Sequence, residues 1–202
     1  MLTSQQRQSF QQADADLDVV AGQRVSDLVS MLSVSDPLEF KAGVLDTLPG
    51  LVAELSDVSA LIGADMYETA REQAEARGRF VVDLADPPSV EQVEASSRWA
   101  LGPLFQAESA LTLSEVAALV SANLEASAAR LVREGGRRTV TENSARDPAK
   151  PRYQRFLSGR SRHCDFCSML AGRGAVYHTK DSAGVGRHFH DRCHCYVDLV
   201  FT

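Results

Sequence analysis

The sequence predicts a mainly α-helical protein, with an elongated helical body at its N-terminal end and a small C-terminal α+β module. Apolar residues recur at helical spacing through the first 135 residues. Aromatic residues make up only 6% of the chain, so the core must consist mostly of leucine, valine and alanine, which suits packed helices better than sheets. All four cysteines and all five histidines lie from His163 onward, which indicates a distinct module at that end.

Three helices are expected in the first part of the body. Residues Ser4 to Leu32 carry an apolar stripe opposite Gln and Asp, as in an amphipathic helix. Asp36-Pro37 predicts the start of a second helix that ends near Thr47, because Asp is a good capping residue and Pro suits the first turn. Pro49 is expected to open a third helix, which Gly78 ends.

Two capping boxes predict the remaining helices of the body. The stretch 80–84 is either a strand or an extended link. The Ser-x-x-Gln pattern of residues 89–92 starts a helix to about Leu101. The Thr-x-x-Glu pattern of residues 112–115 starts a longer helix, which the glycine pair 135–136 is expected to close.

The composition changes after the body, which we place at residues 1–135. Residues 136–155 are basic and contain two prolines, which predicts a linker with little core. Residues 156–202 are expected to form a compact tail, in which the runs 175–177 and 196–201 are strands.

Charge is divided between the two ends of the chain. Residues 1–129 contain 7 Lys and Arg against 20 Asp and Glu, whereas residues 130–195 contain 14 against 6. Either the acidic body docks against its own basic tail, or the two parts have different partners. No basic leader with an apolar run is visible at the start, and no stretch of about 18 apolar residues predicts a membrane span.

The tail carries a cysteine and histidine pattern typical of a metal site. Cys164 and Cys167 form a Cys-x2-Cys pair, whose two thiolates can reach one ion from a single tight turn. After twenty-two intervening residues, His190 and Cys193 repeat that spacing, and Cys195 follows. In an intracellular chain this pattern predicts Zn²⁺ held by the two pairs.

The fourth ligand is open at this point. If the chain is extended from Cys193 onward, Cys195 shares a face with Val197, where it is either a ligand in place of His190 or a small buried apolar residue. His188 is a further competitor. The ion is expected to be structural, because no nearby carboxylate has a catalytic spacing and a short tail buries little core. A redox pair is the competing interpretation, but no βαβ pattern accompanies it.

Four arginines of the tail are candidates for contact with nucleic acid: Arg160, Arg162, Arg173 and Arg187. A basic surface of this kind attracts a phosphate backbone. The competing interpretation is an ordinary solvated surface.

The tail resembles the Mu F-like domain of phage minor head proteins, in the form found in phages of actinobacteria. The resemblance is carried by the runs 164–177 and 189–195, with Arg138-Thr139 and Ala145-Arg146-Asp147 upstream, and so covers residues 136–202. Over residues 1–135 it rests only on a helical, alanine-rich body of suitable length. The family often has proline after the histidine of the second run, whereas here Asp191 follows His190.

The resemblance implies a structural protein of the virion. Such proteins lie next to the portal inside the head and are linked to head morphogenesis and to DNA packaging or delivery. We therefore expect a non-enzymatic minor capsid protein, present in multiple copies per virion and made in the host cytoplasm. Its expected partners are the portal protein and other head proteins, with packaged DNA as a non-specific partner and no membrane.

Two alternative functions compete with this one. A small zinc-stabilised endonuclease of the His-Asn-His type needs a helix with further polar ligands after its first histidine, whereas a strand-like apolar run follows His190. A small zinc-stabilised DNA-binding protein needs a basic recognition helix or an exposed aromatic platform. Neither a basic recognition helix nor an exposed aromatic platform is evident in the sequence of the tail.

Overall fold

The computed structural model describes residues 2–32, 35–106, 111–157, 165–178 and 195–201. The protein is mainly helical, as the sequence predicted. Its elements in chain order are α1 (Ser4–Met31), α2 (Pro37–Gln73), α3 (Val90–Ala100), a short 3-10 helix (Gly102–Phe105), α4 (Leu113–Arg146), β1 (Arg152–Phe156), α5 (Asp165–Gly172) and β2 (Tyr196–Val200).

The helix starts predicted at Asp36, Ser89 and Thr112 are confirmed by their capping bonds. At the start of α4 the hydroxyl of Thr112 accepts the backbone N–H of Glu115, whose carboxylate accepts the N–H of Thr112 in return. At the start of α2 the carboxylate of Asp36 accepts two backbone N–H groups, each at 3.1 Å. These side chains satisfy donors that the first helical turn leaves open.

Pro49 lies inside α2, so the predicted helix start at this residue was wrong. A proline in a helix interior removes one backbone hydrogen bond and costs about 3 kcal/mol. Its neighbours Leu48 and Val52 are fully buried in the core. Packing of these side chains keeps the backbone helical through the proline, as tertiary contacts commonly override local propensity.

The glycine pair 135–136 also lies inside a helix, so the predicted end of that helix was wrong. A Cβ atom on Gly63 would stand 2.6 Å from the carbonyl oxygen of Gly136. The glycines therefore allow the backbones of α2 and α4 to approach closely.

The segment predicted as a linker has regular structure over most of its length. Residues 136–146 belong to α4 and residues 152–156 form β1. The predicted division into body, linker and tail as units with separate roles stays a prediction.

Two large clusters of buried side chains form most of the core of the described residues, and Cys167 and Cys195 form a small third one. The first joins α1, α2, α3 and the N-terminal half of α4. The second joins both ends of the chain to the C-terminal ends of α2 and α4, and includes side chains of β1, α5 and β2. Tyr67 is fully buried in this second cluster, with the rings of Phe80 and Phe201 each 5.8 Å from its own. The described part of the tail therefore shares a core with the helical body.

The sheet consists of β1 and β2, which pair antiparallel. Arg155 lies opposite Val197 and Tyr153 lies opposite Leu199. Tyr153 also forms a bridge with Tyr177, within the first of the two runs predicted as strands. Cys195, Val197 and Leu199, which were expected to share a face, are all buried, and Asp198 on the other face of the strand is buried as well.

Among the described helices, α2 is long and apolar enough to cross a membrane, by length and composition alone. A core helix passes the same test, and α2 contributes to both core clusters. Its exposed stripe carries carboxylates, which are costly in hydrocarbon. They are Glu54, Asp57, Asp65, Glu68 and Glu72. That no membrane takes part stays a prediction.

Candidate metal centre

Two of the predicted metal ligands lie together at the edge of the sheet. Cys167 is on the inner side of α5, and Cys195 directly precedes β2. Both side chains are buried, and their Sγ atoms are 3.4 Å apart. The two thiols are not joined by a disulfide, since a disulfide would bring the sulfurs to about 2.05 Å.

A buried arginine completes the described part of this site. Arg155 of β1 is fully buried, and its Nη2 donates to Cys195 Sγ at 2.9 Å and to Cys167 Sγ at 3.8 Å. A second arginine, Arg137 of α4, donates from Nη2 to the carbonyl oxygen of Cys195 at 3.1 Å. Two guanidinium groups thus hold Cys195, the residue that precedes β2.

The spacing of the two sulfurs suits a shared zinc ion. Two thiolates at about 2.3 Å from a tetrahedral zinc stand about 3.8 Å apart. The separation of 3.4 Å between Cys167 and Cys195 needs only a small adjustment to match this geometry. A structural site needs two further ligands.

The other predicted ligands, Cys164, His190 and Cys193, lie outside the described residues. Within the described ranges, no group of three or more His, Cys, Asp or Glu side chains is gathered in a way that could hold a metal ion. The zinc ion and its full ligand set therefore stay predictions.

Of the four arginines predicted to contact nucleic acid, one lies within the described residues. Arg173 follows α5, is exposed, and its guanidinium contacts the sulfur of Met169 at 3.7 Å. Arg160, Arg162 and Arg187 lie outside the described residues. Contact with DNA stays a prediction.

A model of the family described as VG15 protein matches residues 1–202. The chain belongs to the VG15 protein family. This is a family of phage proteins, so the expectation of a phage protein is confirmed at that level. Neither curated proteins nor solved structures gave a match.

Sequence reasoning missed Arg155 as a partner of the two buried thiols in this VG15 family member, because it assigned residues 136–155 to a linker. The signal was present in the alternation of Tyr153 and Arg155 with polar neighbours, which is the pattern of a half-buried strand. An arginine on the buried face of a strand is rare unless it has a partner. That rarity could have pointed to the thiols.

A second buried polar cluster joins α2 to the end of α4 and to the turn that follows it. The carboxylate of Asp147, which follows α4, accepts the Nε of Arg71 at 2.6 Å and the hydroxyl of Tyr67 at 2.8 Å. It also accepts the backbone N–H of Ala149 at 2.8 Å. Burial alone would raise the pKa of Asp147, but these hydrogen bonds outweigh it and hold the pKa below its ordinary value.

A small cavity lies between α1, α2, α4 and β2, lined mainly by apolar side chains, and its volume is about 40 Å³. Ligand pockets measure roughly 300–1,000 Å³, so this cavity has room only for water. Asp14 lies on its wall, and burial raises the pKa of that carboxyl to about 6, although Arg137 and Arg133 oppose the shift. This cavity of the VG15 protein is therefore too small for a ligand, and the thiol pair is the candidate site that the predicted metal ligands indicate.

Proposed function

We propose that this phage protein is a structural, non-enzymatic component of the virion: a minor capsid protein of head morphogenesis that lies at the portal inside the head. The observation that carries the proposal is the match of the whole chain to a phage protein family. The resemblance of residues 136–202 to the Mu F-like domain of minor head proteins supplies the more specific role.

The arrangement of the described tail supports a structural role for it. Its strands and α5 pack into the same apolar cluster as the ends of α2 and α4. The buried thiols and Arg155 lie within this packed region. A buried cluster of this kind can stabilise a fold, whereas a catalytic zinc needs an open coordination position.

We propose further that the tail holds one structural Zn²⁺ ion through Cys167 and the other predicted ligands. Elemental mass spectrometry of the purified chain is expected to give one zinc per chain. Cys167→Ser is expected to lower this content and the stability of the tail, because coordination energy is also folding energy. Thr47→Ser is a conservative control at an exposed position of α2. An unmetallated wild-type chain would contradict the zinc proposal while leaving the virion role open.

The virion role has its own experiment. The phage gene is interrupted by a nonsense codon and complemented from a plasmid with a tagged copy. The protein is expected in purified virions and in co-purified complexes with the portal protein, and its loss is expected to reduce the yield of filled heads. Normal virions that lack the protein would contradict the proposal.

The basic tail is proposed to contact packaged DNA without sequence preference. Binding to duplex DNA should then weaken steeply with salt, because bound phosphates release counterions. Affinity that does not change with salt would remove this part of the proposal. The endonuclease alternative is disfavoured because the described residues after Cys195 form strand β2.

A further inference from the structure

Arg155 is a fully buried cation next to the candidate metal ligands. The register of the sheet places Arg155 opposite Val197, and Val197 lies two residues after Cys195 in the chain. The guanidinium donates to the Sγ of Cys195 at 2.9 Å and more weakly to that of Cys167 at 3.8 Å. A contact of 2.9 Å is close for sulfur, which is a larger atom than oxygen.

The chemistry of the two groups indicates what this contact requires. Arginine stays protonated in proteins, and a guanidinium taken out of water needs strong acceptors. A neutral thiol is a weak acceptor, whereas a thiolate carries a full negative charge. A thiolate bound to zinc keeps part of that charge and remains an acceptor for a neighbouring N–H group.

We propose that Arg155 is a positioning residue of the metal centre, which holds Cys195 as a thiolate ligand of Zn²⁺. This inference rests on the proposed zinc site and deepens it. It selects between the two candidates for the fourth ligand that the sequence left open, Cys195 and His190.

The charges of the site favour this selection. A zinc ion with four thiolates carries an excess charge of −2, and a nearby guanidinium offsets half of it. Cys195 Sγ already lies 3.4 Å from Cys167 Sγ, so both can reach the same ion. A neutral imidazole in the place of Cys195 would offer the guanidinium no negative charge.

The experiment compares variants of Arg155 in the full chain. Zinc affinity is measured by competition with a chromophoric chelator. Arg155→Met should weaken zinc binding by about 10–100-fold, as expected for the loss of a group that supports a metal ligand. Arg155→Lys should recover part of this loss, since it restores the charge without the planar fork. The control Arg173→Met, at an exposed arginine after α5, should stay within about twofold of wild type.

Loss of a buried guanidinium can also unfold the module, so the ligand set is tested separately. ¹¹³Cd NMR of the cadmium-loaded wild-type chain should show the strongly deshielded signal of four thiolates. His190→Ala should retain this signal and one metal per chain, whereas Cys195→Ser should lose both.

The possible results separate the two proposals. The role of Arg155 would be overturned if the ¹¹³Cd signal indicated three sulfur ligands and one nitrogen ligand, with metal retained in Cys195→Ser and lost in His190→Ala. The zinc site itself would then stand. The role of Arg155 would also be overturned if the Arg155→Met variant were folded and bound zinc as tightly as the wild type. A wild-type chain that binds neither zinc nor cadmium would overturn the zinc site itself.

Discussion

The guanidinium of Arg7, in the first turns of α1, forms an ion pair with the buried carboxylate of Asp198 in β2, with 3.5 Å between Nη1 and Oδ2. The same guanidinium lies 4.8 Å from the ring centroid of Phe156 in β1 and donates to the carbonyl oxygen of Leu2. One side chain thus joins the first helix to both strands of the sheet. The helical body and the cysteine module are therefore expected to unfold together.

Replacement of Arg7 by methionine should destabilise the protein by about 2 kcal/mol at neutral pH, because a buried carboxylate loses its counter-charge. Burial already raises the pKa of Asp198, and Arg7 opposes that rise. A group whose pKa is raised on folding costs stability as the pH increases through its folded value. The loss in Arg7→Met should therefore shrink in acid, below the ordinary pKa of aspartate.

Urea unfolding at several pH values measures this effect, and Arg24→Met is the matched control at an exposed position of α1. The control should change the free energy of unfolding by less than about 0.5 kcal/mol. An equal loss at all pH values would contradict the electrostatic origin of the effect.

Replacement of Asp147 by asparagine should destabilise the protein by about 2–3 kcal/mol at neutral pH, because it removes the charge that Arg71 needs. The pKa of Asp147 is lowered on folding, so its contribution is present above pH 3.8 and is lost as the pH falls through the folded value. The gap between wild type and variant should close in acid. Thermal unfolding across this pH range tests the prediction, with the exposed Asp46→Asn as control. A gap that widens in acid would rule it out.

Replacement of Asp14 by asparagine should stabilise the protein at alkaline pH, which is the opposite of the effect expected for Asp147→Asn. Burial raises the pKa of Asp14 to about 6, so ionisation of this half-buried group costs stability as the pH rises through that value. The variant should be more stable than wild type by about 1–2 kcal/mol at pH 8, after a discount for partial exposure, and nearly equal to it below pH 4. NMR titration of the side chain gives the pKa directly. A variant less stable at pH 8 would show that attraction to Arg137 outweighs the burial.

Replacement of Gly63 by alanine should destabilise the protein by about 2–4 kcal/mol, because the new Cβ would meet the backbone of Gly136 at 2.6 Å and force α2 and α4 apart. Gly50 lies in the same helix with nothing within 4 Å of an added Cβ. Gly50→Ala should therefore be neutral or stabilising by up to about 1 kcal/mol. Equal effects of the two substitutions on the free energy of unfolding would contradict the close helix contact.

Local signals along the chain were sufficient to predict most of the helical fold. Apolar spacing and capping residues predicted α1, α3 and the start of α4, because these features act between residues three or four positions apart. The alternation at Cys195, Val197 and Leu199 likewise predicted a buried face of β2. The clustered cysteines and histidines pointed to the module where the thiol pair is found.

Tertiary packing decided the features that depend on residues distant in the chain. Pro49 and the glycine pair 135–136 have the local properties of helix ends, but buried neighbours and a close partner helix keep both segments helical. Arg155 was assigned to a linker, and only the pairing of β1 with β2 brings it to the sulfur of Cys195, forty residues later in the chain. The sequence alone determined where most helices begin and which side chains share one face of a helix or strand. Contacts between distant segments determined which of them meet, because burial and charge compensation depend on the folded neighbours.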